Sequence, residues 1–353
     1  MIQVQQVRRS RLKFWLILGG IIGVVIVALL LVSALVIYGL IAELSGYNKE
    51  FGYRSDVDPQ IYQDMAANRG NFTVGSDYPD FSSTVSVSNF GSGVVIAPTW
   101  VLTAGHVLLD PEYGEEQADD LVIYIGLDYE NPDNSYSVKS IHIHPAWRAD
   151  NSDLGLEHGM DIALIELDEP ITEVTPALWA NSTNLDIEML DTVVYTAGFG
   201  DYTLHLNDNN GEWWSQKRAW SNMLDRVNGG IDGTKKFEGD ETMKGGFVVY
   251  DFDSPEENEN SLGDDGWWLG NDYEYGGVKE GDSDGTPLQY EGTSVPGDSG
   301  GPTYGYQNGE WWVIGVTSHG STDGHYGDIA FNTRVASSSV WICSVATDIS
   351  QCE

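Results

Sequence analysis

Gly297-Asp298-Ser299-Gly300-Gly301-Pro302 is the stretch on which the reading of this chain turns. A serine between glycines can sit in a tight turn, with its hydroxyl and the neighbouring backbone N–H groups facing one point. Acyl transfer needs that arrangement, a nucleophile beside donors that hold the oxyanion of a tetrahedral intermediate. The donors would be the amides of Gly297 and Ser299, and the missing Cβ at position 297 leaves room for a carbonyl to approach. The same six residues also suit a plain turn between strands, and this chain has many such turns.

Two upstream stretches bear on that choice. Trp100-Val101-Leu102-Thr103-Ala104-Gly105-His106 is an apolar run ending in a histidine among small residues. Met160-Asp161-Ile162-Ala163-Leu164-Ile165-Glu166-Leu167 places an aspartate at the start of a strand-like alternating segment. His, Asp and Ser in this chain order is one of the orders in which catalytic triads occur.

Through Thr103-Ala104-Gly105-His106, Asp161-Ile162-Ala163-Leu164 and Gly297 to Pro302, the chain resembles the chymotrypsin/trypsin-like serine endopeptidases. The resemblance implies Ser299 as nucleophile, His106 as general base and Asp161 as the group that orients the imidazole. It also implies an oxyanion hole from the Gly297 and Ser299 amides, and a hydrogen bond from Ser318 to Asp161. The implied fold is all-β, with two antiparallel Greek-key β-barrels, the site in the cleft between them, and a C-terminal helix. The resemblance runs over roughly residues 73–346, with the first barrel about 73–188 and the second about 189–346. A pocket for the side chain before the scissile bond falls to Thr293, Ser294, His319, Gly320 and Ala330. None of these is acidic, so cleavage after uncharged, small to medium apolar residues is expected; a buried unpaired cation would cost several kcal/mol. His319 stands where the family commonly has an aromatic, and protonation near its ordinary pKa of about 6.5 would shift the preference.

The family's zymogens are cut to release an apolar N-terminus that pairs with the aspartate before the serine, here Asp298. Thr73-Val74-Gly75-Ser76 is the nearest match to such a terminus, but Arg69 precedes it by four residues rather than one. Whether Asp298 takes an α-amine or another donor is left open by the sequence. Animal members usually carry several disulfides, one beside the catalytic histidine. Val107 occupies that cysteine's position, which favours a bacterial relative.

The chain has 353 residues, with 54 acids against 17 bases and a formal net charge of −37. Such a surface repels nucleic acid and anionic lipid, so no nucleic-acid partner is expected. Residues 14–42 form an apolar stretch, with Arg8, Arg9, Arg11 and Lys13 just before it. At about 1.5 Å per residue it spans a roughly 30 Å hydrocarbon core. The basic flank keeps residues 1–13 in the cytoplasm and the rest on the periplasmic or extracellular side of a cytoplasmic membrane. The competing reading is a signal peptide cut near Val32-Ser33-Ala34. Residues 43–72 read as a polar tether with one helical turn near Ile61-Tyr62, and 73–353 as the enzymatic domain.

Between Gly200 and Gly297 lie 96 residues, longer than compact family members use there. This stretch holds strand candidates at Lys217–Val227 and Phe247–Phe252, and the rest is expected to decorate the second barrel as a long insertion within 201–292. Cys343 and Cys352 are the two cysteines, free to pair in an oxidising compartment or to stay as thiols. No cofactor and no metal is expected. His142, His144 and His158 read as ordinary surface histidines, and the expected partner is a protein or peptide substrate. The other function class on this fold is a non-catalytic, membrane-tethered binding module. A module has no physical need for both the triad residues and the oxyanion glycines.

Overall fold

The computed structural model describes residues 52–110, 114–149, 159–181, 187–200, 215–229, 246–257, 259–263, 274–275, 278–279, 283–321 and 324–352. The segments read as cytoplasmic tail and membrane anchor lie outside these, as does much of the insertion within 201–292. Among the described residues no helix is long and apolar enough to cross a membrane.

Short runs of β-branched and aromatic residues bounded by turns build the first half. Its strands are β1 (Thr84–Val87), β2 (Gly91–Ala97), β3 (Trp100–Thr103), β4 (Val122–Ile125), β5 (Asn134–Ile143) and β6 (Ala163–Leu167). They close into an antiparallel barrel in the order β1-β2-β3-β6-β5-β4. Along β4 the burial alternates, with Ile123 and Ile125 inside, as the two-residue period of a strand requires. Val85, Val87, Leu102 and Ile165 are likewise fully enclosed. Each contributes about 1.5–3 kcal/mol by leaving water.

The second half is β7 (Val193–Gly198), β8 (Arg218–Met223), β9 (Arg226–Gly229), β10 (Gly246–Asp251), β11 (Pro302–Gln307), β12 (Glu310–Gly320) and β13 (Ile329–Arg334). Their order is β8-β7-β11-β12-β13-β10-β9, and Leu178–Trp179 adds a parallel pairing to β12. This corrects the expected pair of barrels: the second is a curled, open sheet. The reason lies at Leu224-Asp225, between the two edge strands. The Leu224 amide donates to the Thr192 carbonyl on one side and the Asp225 amide to Val249 on the other. The chain thus turns the corner between β8 and β9 covalently, and among the described residues no ladder joins those edges.

The C-terminal helix (Ser339–Val345) follows a 3₁₀ turn at Val335–Ser338, and the Cys343–Cys352 disulfide pins it to the chain end. Residues 52–72, read from the sequence as the end of a tether, are folded onto the second sheet. A helix at Gln60–Ala66 buries Tyr62, Met65 and Ala66, and Tyr62 packs with Tyr53, Trp220 and Val295. Tyr53 makes an isolated bridge with Gly292. The helix lies where a helical turn was expected near Ile61-Tyr62, but an apolar face of only a few residues in a segment otherwise polar gave no periodic signal of its packing.

Candidate active site

The histidine arrives by a simple route. β3 ends at Thr103, and a one-turn helix (Gly105–Leu108) carries His106 into the space between the two halves. The ring packs edge-on to Trp147, itself buried and donating its indole N–H to the Leu109 carbonyl at 3.0 Å. Asp161 sits just before β6 and is fully buried. One carboxylate oxygen takes the His106 amide at 2.7 Å, and the other meets His106 Nδ1 at 2.6 Å. Thr333 Oγ1, on β13, donates to the Asp161 carbonyl at 2.9 Å and so ties this residue to the second sheet.

The serine comes from the second half, at a turn entering β11. Ser299 Oγ lies 2.7 Å from His106 Nε2. Gly300 has φ +86°, and a Cβ there would come within 2.1 Å of Thr103 Oγ1 and 2.2 Å of the Ser92 carbonyl. Only glycine lets the serine turn come this close to β2 and β3. Ser92 then stitches the contact: its amide donates to the Ser299 carbonyl at 2.7 Å and its hydroxyl to the Gly297 carbonyl at 2.9 Å. With the Gly297 carbonyl so occupied, the Gly297 and Ser299 amides, among the described residues, donate to no protein acceptor.

The electrostatics suit proton transfer. Burial disfavours a charged His106, but the charge of Asp161 and the hydrogen bond to it outweigh that and raise its pKa. Burial also works against ionised Asp161, yet His106, Ser318 and the His106 amide together hold it below its ordinary value. Ser318 Oγ donates to Asp161 at 2.6 Å. Sequence and structure thus bring His106, Asp161, Ser299, Gly297 and Ser318 to one place.

Beside Ser299 is a pocket lined by Ser294, Val295, Pro296, Thr317, Ser318, His319 and Gly320. None of these described lining residues bears a carboxylate; Asp323 lies outside the described residues. Thr293 and Ala330 stand behind this lining; both are buried, and Ala330 pairs with Gly320 and Tyr250 across the sheet. His319 stacks on Phe331 with ring centroids 4.7 Å apart, and burial pushes its pKa down to about 4. It therefore stays neutral through the range near 6.5 where the sequence suggested a switch. His142 and His144 share no site: His142 bonds Ser140, while His144, expected at the surface, is buried and packs on Trp341. His158 is outside the described residues. No group of three or more His, Cys, Asp or Glu among the described residues is arranged to hold a metal ion.

Residues the sequence did not single out complete the site. Ser92 is a plain serine in a strand, with nothing to mark it. Arg218 carried a weak signal, a base inside a strand candidate of a chain with only 17 bases. Its partner is Asp298, the aspartate whose donor the sequence left open: Asp298 is fully buried, and Arg218 Nη2 meets its carboxylate at 2.5 Å.

Residues 72–224 match the family model described as Trypsin. That stretch contains His106 and Asp161 and stops short of Ser299. Complement C1s-1 subcomponent of Mus musculus is 36% identical over 87 residues, 23% of this chain. The chain spans only 12% of the length of that relative.

Proposed function

We propose that this chain, whose residues 72–224 fall in the trypsin-like serine protease family, is an active serine endopeptidase working through an acyl-enzyme. The observation that carries the reading is the unbroken hydrogen-bond path Ser299–His106–Asp161, at 2.7 and 2.6 Å. Ser299 Oγ attacks the scissile carbonyl while His106 Nε2 takes its proton. The tetrahedral oxyanion is held by the Gly297 and Ser299 amides. Collapse expels the amine, which receives the proton from His106, and leaves an ester on Ser299. Water, deprotonated by the same imidazole, then releases the acid. Asp161 keeps the tautomer with the proton on Nδ1 and stabilises the imidazolium.

The uncharged side chains among the described pocket lining support a preference for small to medium apolar side chains before the cut. The long, uncharged stretch 14–42 behind a basic cluster supports a membrane anchor with the protease domain outside, and the Cys343–Cys352 disulfide agrees with an oxidising side. Mass spectrometry of protein from native membranes tests the anchor, which a mature N-terminus at Leu35 or later would overturn. Ser299→Ala tests the chemistry. Peptide turnover should fall below about a thousandth of the wild-type rate with the fold unchanged, and a variant retaining more would refute the assignment.

A further inference from the structure

Asp298 is the residue that shapes the serine turn, and its carboxylate is fully engaged. One oxygen accepts the Gly200 amide at 2.8 Å. The other accepts the Val295 amide at 2.9 Å and Arg218 Nη2 at 2.5 Å. The Asp298 amide returns a bond to the Val295 carbonyl at 3.0 Å, so residues 295–298 form a closed turn around the carboxylate. A Cβ on Gly200 would lie 2.5 Å from that carboxylate, which leaves no volume beside it for another group.

Arg218 reaches three things at once. Besides Asp298 it donates to the Thr293 carbonyl, at the start of the pocket wall, at 2.8 Å, and to the Gly52 carbonyl at 2.7 Å. Its guanidinium lies over the Trp220 ring, 4.1 Å from the centroid. Both charges are wholly buried, and a buried charge persists only when paired and hydrogen-bonded. The planar fork of an arginine can hold a carboxylate and two carbonyls together; an ammonium cannot reproduce that geometry. Gly52 in turn donates to the Gly324 carbonyl at 2.8 Å and accepts the Thr293 amide at 3.3 Å. The chain ahead of the first barrel is therefore woven into the loops behind the pocket.

The segment that would offer a new N-terminus is occupied elsewhere. Val74 is half exposed, the Gly75 amide bonds the Tyr78 carbonyl at 3.0 Å, and the Gly75 carbonyl takes the Trp311 indole N–H at 2.7 Å.

We propose that Arg218 is the positioning residue of the oxyanion turn, and that the chain is active with residues 52–76 uncut. This inference rests on the endopeptidase reading above. Arg218 replaces an α-amine that cleavage would otherwise have to create. A cut within 52–72 would leave the Gly52 acceptor on an upstream fragment no longer joined to the first barrel, and departure of that fragment would loosen the turn.

The test uses the full-length chain in detergent, with its N-terminus read by intact mass. The uncut protein should hydrolyse a peptide substrate and label with a fluorophosphonate, and Arg69→Gln should leave both unchanged. Arg218→Met should lower kcat on the order of a hundredfold, as loss of an oxyanion donor does, with a smaller change in KM. Arg218→Lys should recover part of that loss. Hydrogen exchange should speed up in a peptide covering 294–301 of Arg218→Met and stay slow in β1–β3. Should Arg218→Met fail to fold, the neutral pair Arg218→Met/Asp298→Asn takes its place, with the same loss of kcat and of protection expected. Wild-type kcat in either variant, or wild-type protein silent until a cut frees an α-amine, would overturn the proposal. Protein inert before and after such a cut would refute the endopeptidase reading itself, whereas unchanged exchange at 294–301 would refute the role of Arg218 alone.

Discussion

Ser318 Oγ donates to the same Asp161 oxygen that meets His106 Nδ1, both at 2.6 Å. The carboxylate is thereby held from two sides, by the ring it orients and by a hydroxyl on β12. Removing the hydroxyl leaves a buried charge short of one donor and freer to turn. Ser318→Ala should lower kcat/KM roughly tenfold, equivalent to about 1.4 kcal/mol of transition-state stabilisation. Its thermal stability should change less than its activity, and steady-state kinetics beside a melting curve will show whether that order holds.

His106 must be neutral to accept the Ser299 proton. Asp161 raises its pKa above the ordinary histidine value. Activity should therefore climb with pH through an apparent pKa above about 6.5. His319, held down at about 4, adds nothing to that limb. His319→Phe should thus keep the position of the limb; a shift of the whole profile in that variant would mean His319 titrates with the site.

Glu291 is buried among Asp225, Asp251 and Asp253, whose charges act on one another. Its oxygens accept the Asp253 amide at 2.7 Å and the Leu288 amide at 2.5 Å. Burial pushes its pKa from the ordinary 4.5 up to about 8, with the charge of Asp251 adding to the effect. The native state then holds a proton that the unfolded chain releases. The stability it contributes is complete below about pH 4.5 and drains away as pH rises toward 8. Chemical denaturation of the wild type should show that fall. Glu291→Gln, less stable throughout because one amide donor loses its acceptor, should show a flatter one; parallel curves would exclude Glu291 as a source.

How far the sequence carried this reading depends on where each signal sits. His106, Asp161 and Ser299 were legible because each lies in a short block whose neighbours are fixed by close packing, as Gly300 against Thr103 illustrates. Of the first-barrel strands, β6 was announced by the alternation after Asp161 and β3 by the apolar run that ends at His106. What escaped was long-range: Arg218 and Asp298 are 80 residues apart, and no local pattern links them. The packing of Gly52–Phe72 depends on Tyr53 and Tyr62 meeting Trp220, another contact between distant segments. The open edge of the second sheet rests on two backbone bonds at Leu224-Asp225, which no side chain announces.

The disulfide between Cys343 and Cys352 closes a short loop over the last turns of the chain. Loops of this size contribute roughly 2–3 kcal/mol on a chain-entropy model. The double variant Cys343→Ser/Cys352→Ser should melt lower than the wild type and keep its turnover per folded molecule. Reducing agent should lower the melting temperature of the wild type and leave that of the double variant unchanged.

The central claim is that Ser299 is the nucleophile, activated by His106. Reaction with a fluorophosphonate followed by peptide mapping tests it most directly. The account predicts one phosphonyl adduct, on the peptide containing Ser299, formed faster as pH rises through the His106 pKa and lost in His106→Ala. Folded protein that takes no adduct, or takes it at another residue, would contradict it.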